Sequence, residues 1–418
     1  MKFAHLSDIH LGFQKHEALQ EIEQNVFEKT LDECISRKVD FILIPGDMFH
    51  VNIPEMRVQK YAFAKFKQVH DAGIPVYVVY GSHDFSPVAN SVIDLLAETG
   101  YITKVTKVKE STEEKITLDF LQDEKTQAKI AGFSGLKKSK DREYYEKLDR
   151  ASLESESGFK IFVFHGGISE MKTGRDPGDD YMPLSLLPKN FDYYAGGHFH
   201  TFSHEKYDKY PNVVYPGTLF AGFHSDLEEN AKGKVRGFVL VEFEDKIENI
   251  EFVKIENANY ELIEIDANNK KSDSVNQELW SKVKDIDPAR KIIILKVAGE
   301  LTSGKTADVD LSLIREDLIQ KGSLVVNISK NKLTSREYSI TAASGESKDE
   351  IETNVFKENI GQVRTKEKEL IGNDGVALAK KLLKEFAQPV LVNEKKAEYQ
   401  VRIQQGILEL LGLEQDDS

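Results

Sequence analysis

The sequence predicts an α/β layered domain, then a small α+β domain, then a C-terminal pair of amphipathic helices. Three observations carry this. Short apolar runs alternate with amphipathic stretches from Met1 to about Ile255, the pattern of strands packed beneath helices. The alternation starts over on a smaller scale at Glu256, and after Ala343 the composition turns polar and charged before two striped helices close the chain.

The elements follow in order. Phe3 to Ser7 reads as a strand, Gln20 to Ser36 as a helix and Asp40 to Pro45 as a buried strand. A helix is expected from Pro54 to Asp71, with the proline at its first turn, and a strand from Ile74 to Tyr80. Lys129 to Ala131, Lys160 to Phe164, Tyr193 to Ala195, Val213 to Tyr215 and Gly237 to Phe243 continue the strand series. The second cycle runs strand (Tyr260 to Ile265), helix (Ser274 to Lys284), strand (Lys291 to Val297), helix (Leu311 to Ile319) and strand (Leu324 to Ser329). Segment 344–372 reads as a linker with some helix. Asn373 and Asn393 are then expected to cap two helices separated by Pro389. Their apolar stripes are Val376, Ala379, Leu383 and Phe386 on the first, and Ala397, Val401, Leu408 and Leu411 on the second.

Composition excludes several classes. The 418 residues are 40% hydrophobic and 30% charged, which suits two or three globular domains of roughly 100–200 residues each. A net charge of -14 excludes a wholly basic nucleic-acid coat. Cys34 is the only cysteine, so the chain can build neither an intramolecular disulfide nor a thiolate zinc cluster. Met1 and Lys2 lead straight into strand-like sequence, and no run reaches the roughly 18 apolar residues of a membrane helix. The expected compartment is the cytoplasm.

Five clusters combine carboxylate and imidazole with glycine, each just after an expected strand. They are Asp8-Ile9-His10, Gly46-Asp47-Met48-Phe49-His50, Gly81-Ser82-His83-Asp84, His165-Gly166-Gly167 and Gly196-Gly197-His198-Phe199-His200. The carboxyl ends of strands in an α/β sheet line the ligand crevice, so clusters far apart in sequence are expected to converge. In extended chain, residues two apart point the same way, so Asp8 with His10, and His198 with His200, would each present a pair of donors. A carboxylate has two oxygens and can bridge two cations about 3.5–4 Å apart, the role expected of Asp47. Oxygen and imidazole donors without thiolate suit manganese, iron or zinc better than calcium, and manganese is the expected ion. His5, His16, His70, His204 and His224 read as structural or surface residues.

The order of the clusters resembles the calcineurin-like metallophosphoesterases, whose pattern is D-x-H, G-D, G-N-H-[DE], H and G-H-x-H. Within that superfamily the stretches SDIHLG, GDMFH, YGSHD, FHGG, GGHFH and YPGTL look like the DNA double-strand-break repair nucleases of the meiotic-recombination-eleven and SbcD family. The resemblance implies a metallophosphoesterase β-sandwich flanked by helices at 1–255, a DNA-capping domain at 256–343, a linker at 344–372 and a helix-loop-helix at 373–418. It assigns Asp8, His10, Asp47 and His200 to one metal, and Asp47, Ser82, His165 and His198 to a second, giving two manganese ions per subunit. His83 becomes the catalytic histidine, oriented by Asp84, with His50 as a second substrate-facing histidine. Two such ions would bind a phosphate oxygen and lower the pKa of a bridging water for in-line attack. Ser82 departs from the pattern: its hydroxyl stands where the family has an asparagine, a shorter neutral donor that would hold the second metal less tightly.

The same resemblance implies a double-strand 3'-5' exonuclease and single-strand endonuclease, nucleoid-associated. It also implies a homodimer through helix 54–71 and a partner of the SMC-like coiled-coil ABC ATPase class, SbcC type, gripped by the terminal helices. Lys137, Lys138, Lys140 and Arg142 form the densest basic run of the first region. No base-reading motif is present, so DNA would be bound by backbone and ends. Two other readings share parts of the pattern: a phosphoesterase for small molecules or phosphoproteins, and a non-catalytic scaffold that tethers DNA. The extra third of the chain argues against the first; only Ser82 favours the second, and the intact remaining ligands argue against it.

Overall fold

The structure is a computed structural model that describes residues 1–85, 91–135, 141–171, 181–336, 347–361, 367, 370–389, 391 and 396–412. Contacts divide the chain into two units, Met1–Tyr260 and Glu261–Ser418.

The first unit is built on two six-stranded sheets. One runs, edge to edge, Ile247–Lys254, Gly237–Phe243, Lys2–His5, Phe41–Pro45, Val76–Val79 and Thr103–Lys104. Its last four strands are parallel, and the two at the other edge return antiparallel. The other sheet runs Ser203–Tyr207, Tyr210–Tyr215, Tyr193–Gly197, Lys160–His165, Lys129–Phe133 and Leu121–Gln122, with its four inner strands parallel. Both inner faces supply one core: Phe3, Phe41, Leu43, Tyr77 and Val79 from the first sheet meet Ile130, Ile161, Val163, Tyr193 and Ala195 from the second. Phe3 stacks on Phe41 at 5.0 Å and meets Tyr193 edge-on at 5.1 Å, so aromatic contacts tie sheet to sheet. Central strands buried on both faces explain their unbroken apolar sequences, FILIP and KIFVFH among them.

Helices Glu17–Ser36 and Met56–Asp71 pack on each other through Phe27 and Phe66, whose rings lie 5.6 Å apart. The second helix starts two residues beyond the expected Pro54, with Glu55 at its N-cap, and the first starts at Glu17 rather than Gln20. His5 is buried with its Nδ1 2.9 Å from the Tyr193 hydroxyl.

In the second unit, strands Asn259–Asp266, Lys291–Leu301 and Val325–Ser329 form a sheet in that order, and Leu333–Ser335 pairs with the end of the long strand. Helices Ser272–Lys284 and Leu311–Gln320 bury Val275, Leu279, Ile314 and Leu318 in its core. The unit border falls after Tyr260, five residues past the expected one.

Segment 344–372 was expected to be a linker with some helix, and only part of it lies among the described residues. It contains helix Lys348–Gly361, tied to the next helix by a 2.8 Å ion pair between Asp349 and Lys380. The helix Gly372–Phe386 begins one residue before Asn373, with Ile371 at the N-cap and no side-chain cap, so the expected asparagine cap is not made. Asn393 lies outside the described residues, as do Lys137, Lys138 and Lys140. Arg142 pairs with Glu146 at 3.0 Å. On the last helices Leu383, Phe386, Val401 and Leu411 stay exposed, whereas Val376 and Ile403 are buried.

Candidate metal centre

The clusters leave the carboxyl ends of strands from both sheets. Past the strand ends, residues 8–11 run beside residues 46–50. The His10 amide donates to the Asp47 carbonyl at 2.9 Å, Leu11 to Met48 at 3.0 Å and His50 back to Leu11 at 3.0 Å. This short ladder sets Asp8 and His10 against Asp47. From the other sheet, Gly197 sits level with His165 in parallel register, and the His198 amide donates to both Asp8 carboxylate oxygens at 3.0 and 2.9 Å.

The backbone is not extended here, as the two-residue spacing had suggested. Asp8, His10, Asp47 and His198 have φ values of 50°, 51°, 49° and 109°, in the left-handed region that side chains avoid. Such residues cost about 1–3 kcal/mol each and persist where surrounding contacts impose them. The paired donors are therefore aimed by tight turns instead of strand alternation.

Close backbone approach is the work of glycine. A Cβ on Gly81 would collide with the Asp47 backbone and carboxylate, and one on Gly197 with the Pro45 carbonyl. Gly46 has φ +83° and would press a Cβ to 2.5 Å from His165 Nδ1.

Two overlapping groups of donor atoms result, Asp8 with His10 and His200, and Asp8 with Asp47 and His165, each within 4.8 Å. Asp47 Oδ2 lies 3.3 Å from His165 Nε2 and 3.8 Å from His10 Nε2, so one carboxylate oxygen faces both groups. A third group brings ring nitrogens of His10, His50 and His83 together. The Ser82 hydroxyl is 3.5 Å from Asp47 Oδ2. His198 stands outside these groups, its ring 5.5 Å from that of His165.

Hydrogen bonds fix which imidazole nitrogens are free. His165 Nδ1 lies 2.9 Å from the Pro45 carbonyl, so it carries a proton, and the buried Nε2 faces Asp47 Oδ2 at 3.3 Å. His200 Nδ1 is 2.8 Å from Asp226 Oδ2, which leaves its Nε2 turned toward His10 Nε2 at 3.2 Å. An imidazole whose far nitrogen is tied to a carbonyl or carboxylate presents a lone pair suited to a cation. The electrostatics agree. Burial works against a charge on His165, yet Asp47 and Asp8 raise its pKa to about 10. The pocket thus demands positive charge, and its carboxylate and imidazole donors fit divalent cations.

Asp84, expected to orient His83, bonds backbone amides and not the His83 ring. Its carboxylate accepts from the amides of Met48 (3.2 Å), Phe49 (2.9 Å) and Gly81 (3.1 Å), pinning the loop after Pro45 to the loop after Val79. Burial, and then the Asp47 charge, push its pKa up to about 7. His83 is held instead by its Nδ1, 2.8 Å from the His50 carbonyl, and by its amide, which donates to Asp47 Oδ1 at 2.8 Å. The sequence reading missed Asp226, which joins His200 to the amides of Gly222 and Phe223 and to Arg236. Its setting, SDLEEN at a helix start, carries no motif.

Residues 1–202 match the family model of the calcineurin-like phosphoesterases. They are a calcineurin-like phosphoesterase domain. That family uses divalent metal, in keeping with the donor groups just described. Curated relatives point the same way. The chain is 28% identical over 286 residues to the DNA double-strand break repair protein Mre11 of Methanocaldococcus jannaschii, covering 65% of this chain and 71% of that one. It is 29% identical over 273 residues to the Mre11 of Sulfurisphaera tokodaii, covering 63% and 65%. It is also 26% identical to the metallophosphoesterase YhaO of Bacillus subtilis over 53% of each chain. Among solved structures, a dimetal phosphatase from Danio rerio is 10% identical, with a TM-score of 0.37 over 62% of this chain and 99% of that one. No described helix is long and apolar enough to cross a membrane.

Proposed function

We propose that this phosphoesterase is a manganese-dependent DNA nuclease that processes ends in double-strand break repair. The observation that carries the reading is the convergence of Asp8, His10, Asp47, His165 and His200 in a chain whose curated relatives include DNA double-strand break repair proteins. Asp8, His10, Asp47 and His200 would hold one ion, and Asp47, Ser82, His165 and His198 the other. When bound, the pair would polarise the scissile phosphate and lower the pKa of water toward neutrality.

The chain's own residues supply the rest. Asp47 is locked in place by the His83 amide, and Asp84 fastens the loops that carry both. With Nδ1 tied to the His50 carbonyl, His83 keeps Nε2 to hold or deliver a proton at the leaving sugar oxygen. His50, its ring 4.8 Å from that of His83, would face the substrate beside it. The second unit would cap DNA. The exposed Leu383, Phe386, Val401 and Leu411 are the apolar surface by which the last helices would grip an SMC-like coiled-coil ATPase of the SbcC type. Helix Met56–Asp71 would serve the homodimer.

The test is cleavage of linear, hairpin and single-stranded DNA with manganese, magnesium or chelator. Manganese-dependent cutting of DNA, with slower turnover of phosphoproteins and small phosphoesters, is expected. The opposite preference would replace the nuclease reading with a phosphatase one.

A further inference from the structure

Phe223 stands at the rim of the metal centre and no role assigned so far uses it. Its ring lies parallel to that of His200, 4.9 Å away and 11° from coplanar, and its centroid is 5.8 Å from His10 and 6.3 Å from His83. Phe13, packed against His50 at 4.8 Å, meets it edge-on at 6.5 Å. Despite these neighbours Phe223 is 46% exposed. About half of the ring's apolar surface is therefore open to solvent directly beside the polar donor groups.

The ring is also fixed in place. The amides of Gly222 and Phe223 donate to Asp226 Oδ2 at 2.9 and 2.8 Å, the same oxygen that accepts from His200 Nδ1. Gly222 lets the chain pass close to the ligand rings, since a Cβ there would reach to 2.6 Å from His200 Cε1. Gln14 Nε2 adds a bond to the Ala221 carbonyl at 3.3 Å, joining this loop to the one that bears Phe13. One carboxylate therefore sets both a donor histidine and the phenyl ring stacked on it.

We propose that Phe223 is a stacking platform for the nucleobase next to the scissile phosphate, a subsite that biases the enzyme toward unstacked, single-stranded nucleotides. The proposal rests on the nuclease reading and adds a base-binding element to it. One face of the ring is taken by His200, and the exposed remainder offers an apolar surface directly beside the donor groups, where the base next to a phosphate bound there would lie. A base must leave its duplex stack to use that surface, which favours ends and loops. Stacking tolerates any base, in keeping with a chain that has no base-reading motif.

The experiment uses the full chain with manganese and a single-stranded oligonucleotide in which each position in turn is replaced by an abasic tetrahydrofuran residue. In the wild type, one abasic position beside the cleaved bond should raise KM by about 5- to 100-fold, the range expected for losing one base stack. In Phe223→Ala that penalty should shrink toward one, and Phe223→Tyr should restore it. A 2-aminopurine at the same position should be quenched on binding to wild type and to Phe223→Tyr, but not to Phe223→Ala. If Phe223 only shields His200, Phe223→Ala will lower activity on intact and abasic strands alike and leave their KM ratio at the wild-type value. That result overturns the platform while the nuclease reading stands. Failure of the wild type to cut any DNA overturns both.

Discussion

Ser82 is the one donor position where this chain leaves the family pattern, and its hydroxyl sits 3.5 Å from Asp47 Oδ2. An asparagine amide oxygen reaches one bond further and is the better neutral ligand. Ser82→Asn should therefore raise affinity for the second manganese by about tenfold, within the 10–100-fold range of single supporting interactions at metal sites. Calorimetric titration decides it, and equal or weaker second-site binding would remove position 82 from the donor set. Glu23 offers a different test at this scale. It is buried and accepts from the amides of Gly12 at 2.7 Å and Gln14 at 3.3 Å, so it braces the turn that follows His10. Burial, against these amides, raises its pKa from 4.5 to about 7. The folded state thus binds a proton more tightly than the unfolded state, and stability falls as pH rises from 4.5 to 7. Glu23→Gln removes that titration. Its stability relative to wild type should improve across this window by up to about 3 kcal/mol. Chemical denaturation at several pH values measures it, and a difference that does not change with pH would contradict the assignment. The candidate donor groups were legible in the sequence because Asp8, His10, Asp47, His165 and His200 all sit in motifs. Their aim was not, since left-handed backbone at Asp8, His10 and Asp47 depends on the ladder to the neighbouring loop. Asp226 and Phe223 lie in no motif and are brought to His200 only by the fold.

Among the elements, the strands were read most accurately where apolar runs are bounded by glycine or charge. Phe41–Pro45, Lys160–His165 and Gly237–Phe243 fall within a residue of their expected limits. Helix starts were less legible. No side-chain cap is made at Glu55 or Ile371, so neither helix start carries a capping signal in its sequence. Some helix was expected in 344–372, but the bounds Lys348–Gly361 were not legible because that stretch has no apolar stripe, and its ion pair to Lys380 comes from another element. The metal centre itself is a junction of elements. Strand Tyr193–Gly197 of one sheet and strand Phe41–Pro45 of the other meet where Gly197 lies against the Pro45 carbonyl. The same carbonyl is 2.9 Å from His165 Nδ1. Gly197→Ala should push these strand ends apart, costing about 1–3 kcal/mol of stability as overpacking does. It should weaken manganese binding more than its effect on stability alone would suggest. Thermal unfolding with and without manganese tests this. An alanine variant whose stabilisation by the metal matches the wild type would show that the junction does not set the site.

At the scale of the whole molecule, a phosphoesterase domain is followed by a second unit whose terminal helices carry exposed apolar residues. On the proposed nuclease reading, an acidic chain of net charge -14 must place its positive charge locally, and cations held by Asp8, Asp47 and the histidines around them would do so at the point of chemistry. The most direct test compares wild type, Asp47→Ala and His83→Ala for bound manganese and for cleavage of single-stranded DNA. Asp47 faces both donor groups, whereas His83 is tied to the His50 carbonyl and keeps one nitrogen for substrate. Asp47→Ala should lose both ions and all cleavage, while His83→Ala should keep its manganese and lose cleavage by at least about 100-fold, the lower end of what general acid–base catalysis supplies. Full cleavage by His83→Ala, or undiminished manganese in Asp47→Ala, would contradict these assignments.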